Sequence, residues 1–536
     1  MSKGKRITII IFSAIAALAL FGYLGVNPLL SHLLKQQVEE KLIGNFTYEY
    51  DTIQVDVFKR SVTMKNVRWQ FPKDSSKVKH RGTVNEFSVD GISILALSGH
   101  LHINAITIDK PHFNTQISIN KLFNKKNEAK RLDQFNFYSL IESNLNSLEI
   151  DEIKVQSAEA KWFSPDFKEI WRQVEGGFLK VESLRIDSAV TAKNNGLFGL
   201  ENFDLQFEKG LIFLPDSLHK MRLGKTKINF ETESINIDSV RVKPIIKDKA
   251  LAKAFELEKT SLDLLIPHVD FNGIQLQQLF EEQILDIQHI SLNELRLEAF
   301  KDKEAIEPTA FKPLPQDFLK NLSRNINIDT IDIINASVVY EQRDKGSDEV
   351  GKVNFEEING KITNVTNDSV RLLKNGHAIF EFSTKLFDAG HLSAKVNFDL
   401  QSANMDHSIS GHLQAISLTE ANQIITPLQG YHIKSGEVDD LYFNFHLNKQ
   451  KASGDLRFLY KDLKIQKLDD RSLESENLKN KLISFVANAF VVRKANPNWR
   501  GQEKAGKIDF ERVEHKSIFH YWWYSILSGL QSILME

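Results

Sequence analysis

Apolar residues recur along this chain in one spaced phrase: apolar at offsets 0, 2, 5 and 7, with Asp, Asn, Glu or Gln at offset 3. It reads "YEYDTIQV" from Tyr48, "FSVDGISI" from Phe87, "LHINAITI" from Leu101, "LEIDEIKV" from Leu148, "LKVESLRI" from Leu179 and "INIDSVRV" from Ile235. It returns as "VDFNGIQL" from Val269, "LDIQHISL" from Leu285 and "INIDTIDI" from Ile326, with a degraded copy, "VNFEEING", from Val353. Period two in each half predicts β-strand with one apolar face. The polar pair shifts the phase by one residue, which would turn the second half to the opposite face.

Two local structures absorb that shift. A two-residue hairpin pairs offset 2 with 5 and 0 with 7, and suits Asp90–Gly91 and Asn272–Gly273. A β-bulge bends one longer strand and also restores the phase. Bulges are the general expectation, because the other copies have Ala, Glu, Ser, His or Thr as second turn residue, which resist positive φ. Hairpins stay open at the two glycines.

A larger unit is also repeated. Each double phrase is followed by a helical pattern and another copy: "RLDQFNFYSLIESNLNS" before Leu148, "PLPQDFLKNLSRN" before Ile326. Residues 87–163 and 269–341 therefore read as duplicated modules, with spacing too irregular for a strict solenoid. From Lys352 to Asp470 the strands lengthen into meanders broken at Gly, Asn and Asp. An amphipathic helix is expected through Leu478, Leu482, Phe485, Val486 and Phe490, then a strand from Lys507. In "HKSIFHYWWYSILSGLQSILME" one helical face collects Ile518, Phe519, Trp522, Trp523, Ile526, Leu527, Leu530, Ile533 and Leu534. Two readings fit it. Phe519, Trp522, Trp523, Ile526, Leu527 and Leu530 lie in a membrane interface, or the helix caps the sheet and buries that face against protein.

The fold class expected is mainly β with a few helices: an N-terminal transmembrane helix, then an elongated, curved antiparallel sheet built from degenerate repeats, a groove. Residues 1–30 would be a cytoplasmic stub and anchor, 31–350 the repeat-built groove, 351–515 a β-meander region and 516–536 the aromatic helix. The anchor rests on Lys3, Lys5 and Arg6 preceding an uncharged run from Ile7 to Val26. Twenty helical residues span roughly 30 Å, a bilayer's hydrocarbon thickness, and the basic flank places the N-terminus in the cytoplasm. A cleaved signal peptide is the rival, with "ALA" at Ala17–Ala19.

Composition adds exclusions. A formal net charge of -2 gives no reason to expect nucleic acid. The absence of cysteine excludes disulfides, Cys-ligated zinc, Fe–S clusters and a cysteine nucleophile. No G-x-S-x-G, P-loop, G-x-G-x-x-G or H-E-x-x-H occurs, so no catalytic or metal residue is assigned and no cofactor is expected. His100 and His102 read as solvated strand positions, Asp439–Asp440 as a turn.

An antiparallel sheet with one apolar face must cover it, and few helices are available. Either the sheet curls on itself as sandwich or barrel, or it is an open trough that binds something greasy. In the second case acyl lipid lies against Phe87, Val89, Ile92, Ile94, Leu101, Ile103, Ile106, Ile108, Val269, Phe271, Ile274, Leu276, Leu285, Ile287, Ile290 and Leu292. Twenty to thirty strands about 4.8 Å apart would give a trough on the order of 100–150 Å.

The anchor, "FSVDGISILALSGHLHINAITIDKP", "SGEVDDLYFNF…ASGDLRFLYKDLKI" and "FERVEHKSIFHYWWYSILSGLQ" together resemble AsmA-like proteins, in the version of Bacteroidota-type bacteria. The resemblance covers nearly the whole chain through degenerate patterns and supplies no catalytic residues. It implies a single-pass inner-membrane protein with a periplasmic β-groove of the bridge-like lipid transfer class, carrying phospholipid towards the outer membrane. Two function classes follow: lipid transfer, or an assembly factor of the envelope that binds protein partners and packs the same residues as an ordinary core.

Overall fold

The computed structural model describes residues 47–56, 58–71, 79–93, 99–116, 138–142, 145–164, 168–193, 199, 201–246, 250–281, 284–468 and 492–534. The expected anchor, Ile94 and the helix expected through Leu478 and Phe490 lie outside the described residues. Those described form 26 strands and are mainly β. They divide into two units: Met1–Ser217, Met221–Asp238 and Leu276–Glu282 in the first; Leu218–Lys220, Ser239–Gln275 and Gln283–Glu536 in the second.

The phrase reads the same backwards, since offsets 0, 2, 5 and 7 invert to 7, 5, 2 and 0. Copies can therefore pair in either direction with apolar residues opposite apolar residues, and they do both. In the first unit Phe87 and Val89 lie antiparallel opposite Ile108 and Ile106. Leu101, Ile103, Ile106 and Ile108 then lie parallel beside Leu148, Ile150, Ile153 and Val155. The second unit repeats this. Val269, Phe271 and Ile274 oppose Leu292, Ile290 and Ile287, and Leu285, Ile287, Ile290 and Leu292 run parallel beside Ile326, Ile328, Ile331 and Ile333. The sheet is antiparallel over most of its pairings, as expected, and parallel at these neighbours. Parallel neighbours need a crossover of a dozen or more residues, which is what residues 117–146 and 303–325 supply. Among the described residues these stretches hold a 3₁₀ turn at Tyr138–Leu140 and a helix at Pro315–Lys320.

Both glycine copies are bulges, not hairpins. The strand His268–Ile274 runs through Asn272–Gly273, with Gly273 at φ +64°. Beyond Gly91, at φ +71°, the Ser93 N–H donates to His102 O at 2.8 Å, as Gln275 N–H donates to Asp286 O at 2.9 Å. Each second half bonds to the next copy, so its ladder is occupied before it can fold back on its own first half. Leu276 leaves the strand altogether and opens the helix Leu276–Glu281.

The bulging continues past offset 7. Lys110, Ser157, Glu294 and Asn335, each at offset 9 of its copy, all have positive φ. Lys110 N–H donates to Gln156 O and Glu294 N–H to Ile334 O, both at 2.8 Å, so the two modules match residue by residue. Ladder shifts fall between Val155 and Ala158 and between Ile333 and Ala336, again at equivalent places. Bulges five residues apart hold the same side apolar along strands of 17 and 18 residues. A further copy, "VTMKNVRW" from Val62, has Lys65 at offset 3 and therefore escapes the sequence rule. Asn66 supplies its positive φ, and Val62 and Met64 face Val89 and Phe87.

The second unit continues as the antiparallel meander expected: Val350–Thr366, His377–Leu386, Gly390–Asp399, His407–Ser417, Tyr431–Leu447, Lys451–Lys467 and Gly506–Glu511. Strand Tyr431–Leu447 alternates buried and exposed residues, and its apolar side joins one core with Ile409, Leu456 and Ile508. Asp439 and Asp440 sit inside this strand rather than in a turn. A register shift between Val438 and Asp440 marks a bulge, which uses the same polar pair a turn would. A helix the sequence reading missed, Asn422–Gln429, packs Leu428 over Gly351 and stops at Gly430, φ +68°.

Because L-residues lose about 1–2 kcal/mol in the left-handed region, Asn335→Val should destabilise by that order while Asn335→Gly stays near neutral. Urea unfolding of the two variants measures this, and equal stabilities would contradict a bulge at offset 9.

Candidate functional site

The residues expected to line a groove divide by burial. Val89, Ile92, Leu101, Ile103 and Ile106 are buried in one core with Val62, Met64, Leu148, Ile150 and Ile186; Phe87 and Ile108 flank it. Ile141 and Leu145, from the crossover, are buried in the same cluster. In the other module Val269, Ile274, Leu276, Ile287 and Ile290 are buried, and Phe271, Leu285 and Leu292 are half-buried. A carboxylate at Ile92 or Ile274 would therefore be buried unpaired and destabilise the fold under either functional reading.

Further along, the same side of the first unit carries aromatic residues. Val67 packs on the core, and Trp69, two residues on, points the same way. Its ring lies 5.6 Å from that of Phe113, which lies 6.4 Å from that of Trp162. Trp69 can lean across because its neighbour on the next strand is Gly82, where a Cβ would sit 2.5 Å from the indole. All three aromatics are half-buried. Sequence reasoning passed over this ladder because it lies beyond offset 7 of each copy or in the copy it did not find. The opposite side is charged: Glu152 and Glu182 face each other, and Lys154 and Lys180 lie 3.1 Å and 3.7 Å from Glu152.

The helix Ile518–Leu534 closes the other edge of the last strand, Gly506–Glu511. Ser532 accepts the Lys507 N–H at 2.8 Å and Ser528 accepts the Asp509 N–H at 3.1 Å. Four helical residues rise about 6.0 Å and two strand residues about 6.6–6.8 Å, so serines at i and i+4 meet alternate N–H groups. Each hydroxyl donates back to its own helix, Ser528 to Ser525 O and Ser532 to Gly529 O. Close approach requires the small residues: a Cβ on Gly529 would lie 2.8 Å from Ile508, and one on Gly506 would lie 2.7 Å from the Gly529 carbonyl.

The side pressed to the sheet is thus Tyr521, Ser525, Gly529, Ile533 and Leu534, of which the face selected by the sequence pattern holds only Ile533 and Leu534. Trp522, Ile526 and Leu530 of that face pack against the core from the flank. Leu527 stands beside Phe510 and Tyr524 around a small cavity. Phe519 and Trp523 point outward, 71% and 55% exposed.

His407 fixes this helix from beneath. It is 1% exposed; its Nδ1–H donates to Met405 O at 3.0 Å, and its Nε2 accepts the Trp522 indole N–H at 3.2 Å. Both ring nitrogens are used by the neutral form, and burial pushes its pKa down to about 4. Since the folded pKa lies below the ordinary 6.5, its stabilising contribution is complete above about pH 6.5 and is lost as pH falls from there towards 4.

Among the described residues no group of three or more His, Asp or Glu could hold a metal. His100 bonds Ser147 at 2.9 Å and His102 pairs with Asp151 at 2.7 Å, each on the neighbouring strand. A concavity of about 990 Å³ lies over the polar side of the meander, floored by the stacked rings of His412 and Tyr442, 3.9 Å apart. On its rim Lys395 is paired with Glu381 at 2.7 Å and Arg457 with Glu503 at 2.7 Å. Among the described residues no helix is long and apolar enough to cross a membrane.

Two outcomes follow. Ser528→Ala combined with Ser532→Ala should cost about 1–2 kcal/mol of the second unit's stability, two lost hydrogen bonds; unchanged chemical denaturation would remove their role as an edge seal. Lowering the pH from 7 to 4.5 should cost the wild type about 2 kcal/mol more than His407→Phe, the linkage expected of a single buried imidazole. Parallel pH slopes for the two proteins would sink that assignment. No family model matches the chain, and no curated protein matches it.

Proposed function

We propose that this chain is a membrane-anchored periplasmic protein that binds acyl chains along the apolar side of its sheet and takes part in phospholipid transport towards, or homeostasis of, the outer membrane. The AsmA-like resemblance of the sequence belongs to this reading, as do the single-pass inner-membrane location and an elongated β-groove. The observation that carries it is the continuity of one apolar side, from the closed core around Ile103 to the half-buried rings of Trp69, Phe113 and Trp162. Aromatic rings on a pleated surface offer a lipid tail wide, rigid contact area. The phrase residues are then the floor that holds the sheet, and the ladder beyond them is the contact surface.

A second reading, an envelope assembly factor without lipid transfer, draws on the closed packing of those phrase residues, with Ile103 fully buried.

Native mass spectrometry with lipid extraction, on residues 28–536 expressed without the hydrophobic run, separates the two. Lipid transfer expects several co-purified phospholipids, at least halved by Phe113→Asp or Trp162→Asp while melting moves by only a few degrees. Ile103→Asp instead should unfold the first unit, at a cost of about 4 kcal/mol or more. A wild-type chain that is folded and free of lipid turns the assignment to the assembly factor.

A further inference from the structure

Phe519 and Trp523 do not stand alone. Residues 306–312 run against the start of the same helix: Lys312 N–H donates to Glu514 O at 2.9 Å, and the Arg512 guanidinium donates to Lys312 O at 2.5 Å. Arg512 also lies 5.5 Å over the ring of Phe311, and Lys516 is paired with Glu307. Ile306, Phe311, Phe519 and Trp523 are each more than half exposed. This segment and this helix are some two hundred residues apart in sequence, and both turn large apolar side chains to solvent at one place. At its base are Lys312, Arg512 and Lys516, against the carboxylates of Glu307 and Glu514. Burial and the neighbouring cations lower the affinity of Lys312 for its proton, so its charge gains from an added anion.

We infer that this patch docks on a phospholipid surface, with Phe311, Phe519 and Trp523 entering the interface, Lys312 and Lys516 meeting lipid phosphates, and Arg512 holding the 306–312 segment against the helix. Aromatic residues flanked by Lys and Arg suit the headgroup layer, where rings sit among acyl carbons and long basic side chains reach the phosphates. The helix is a rigid support, because Ser528, Ser532 and Gly529 clamp it to the strand Gly506–Glu511. The inference is independent of acyl-chain carriage by the sheet. A chain that captures bilayers yet carries no lipid keeps this site and removes that function.

The test is trans capture of vesicles. Full-length chain is reconstituted into one population of labelled vesicles and mixed with a second, of phosphatidylcholine with phosphatidylglycerol. Fluorescence cross-correlation then reads the tethering. Phe519→Asp with Trp523→Asp should lower tethering roughly 100-fold or more, from the loss of two buried aromatic contacts. Phe519→Ala with Trp523→Ala should give a smaller loss in the same direction. Both pairs should melt like wild type, since the side chains are largely exposed already. Lys312→Gln with Lys516→Gln should weaken capture roughly tenfold, with much of the difference vanishing when phosphatidylglycerol is omitted or salt is raised. Tethering that ignores the aromatic substitutions overturns the inference. So does a self-association of the chain that those substitutions dissolve while vesicle capture persists, which would make a second copy the occupant.

Discussion

A pleated strand turns successive side chains to opposite sides, so one apolar side can be kept over eighteen residues only if the chain is uninterruptedly alternating or repeatedly corrected. This protein corrects. Every five residues an extra residue enters the strand, and in the copies from Leu101, Leu148, Leu285 and Ile326 the second correction is made by a residue at positive φ. Bulges also bend a strand and add right-handed twist, so the device that keeps the phase sets the local curvature as well. Regular spacing of the corrections lets neighbouring strands bend together. Bulges at unrelated places would break the ladder between Leu148–Val155 and Leu179–Ile186, which pairs apolar to apolar throughout.

Symmetry of the phrase under reversal has a second consequence. Nothing in its side-chain pattern favours parallel over antiparallel pairing, so direction is decided by the connection. A short link between two copies permits antiparallel pairing, as after Ile274. A stretch of more than twenty residues permits the parallel partner, as between Asp302 and Ile326. That is why the positions of the strands could be read from the sequence while the parallel pairings could not: the phrase is blind to direction, and a helical pattern between two copies does not say on which side the next strand joins.

Other differences have equally local causes. The copy from Val62 was hidden because its bulge residue is Asn66 at offset 4 while Lys65 holds offset 3. The position is defined by backbone conformation, which Asn satisfies from the second place of the pair. Asp439–Asp440 carries turn chemistry inside a strand because turns and bulges draw on the same small polar residues. In the helix Ile518–Leu534 the apolar periodicity was legible, but the docking side was not. Contact there is set by how closely backbones approach, so Ser525 and Gly529 win the interface and Phe519 is left outside. Hydrophobicity ranks residues by what they lose in water; an exposed strand edge selects instead for hydroxyls that can accept its N–H groups.

The same reasoning bears on whether a closed core and a lipid-carrying surface exclude one another. Strand Ser147–Phe163, at about 3.3 Å per residue, is roughly 55 Å long, far more than one cluster of side chains covers. Leu148 and Ile150, near its beginning, are sealed in the core, whereas Trp162, near its end, is half-buried beside Phe113. One strand therefore serves as structure along part of its length and offers apolar surface along the rest. A substitution reports on function only where the side chain is not already required for folding. Phe113 and Trp162, half-buried, come nearer to that condition than the fully buried Ile103, so the chemistry of this surface has to be sought at the aromatic ladder rather than in the repeat that first reveals it.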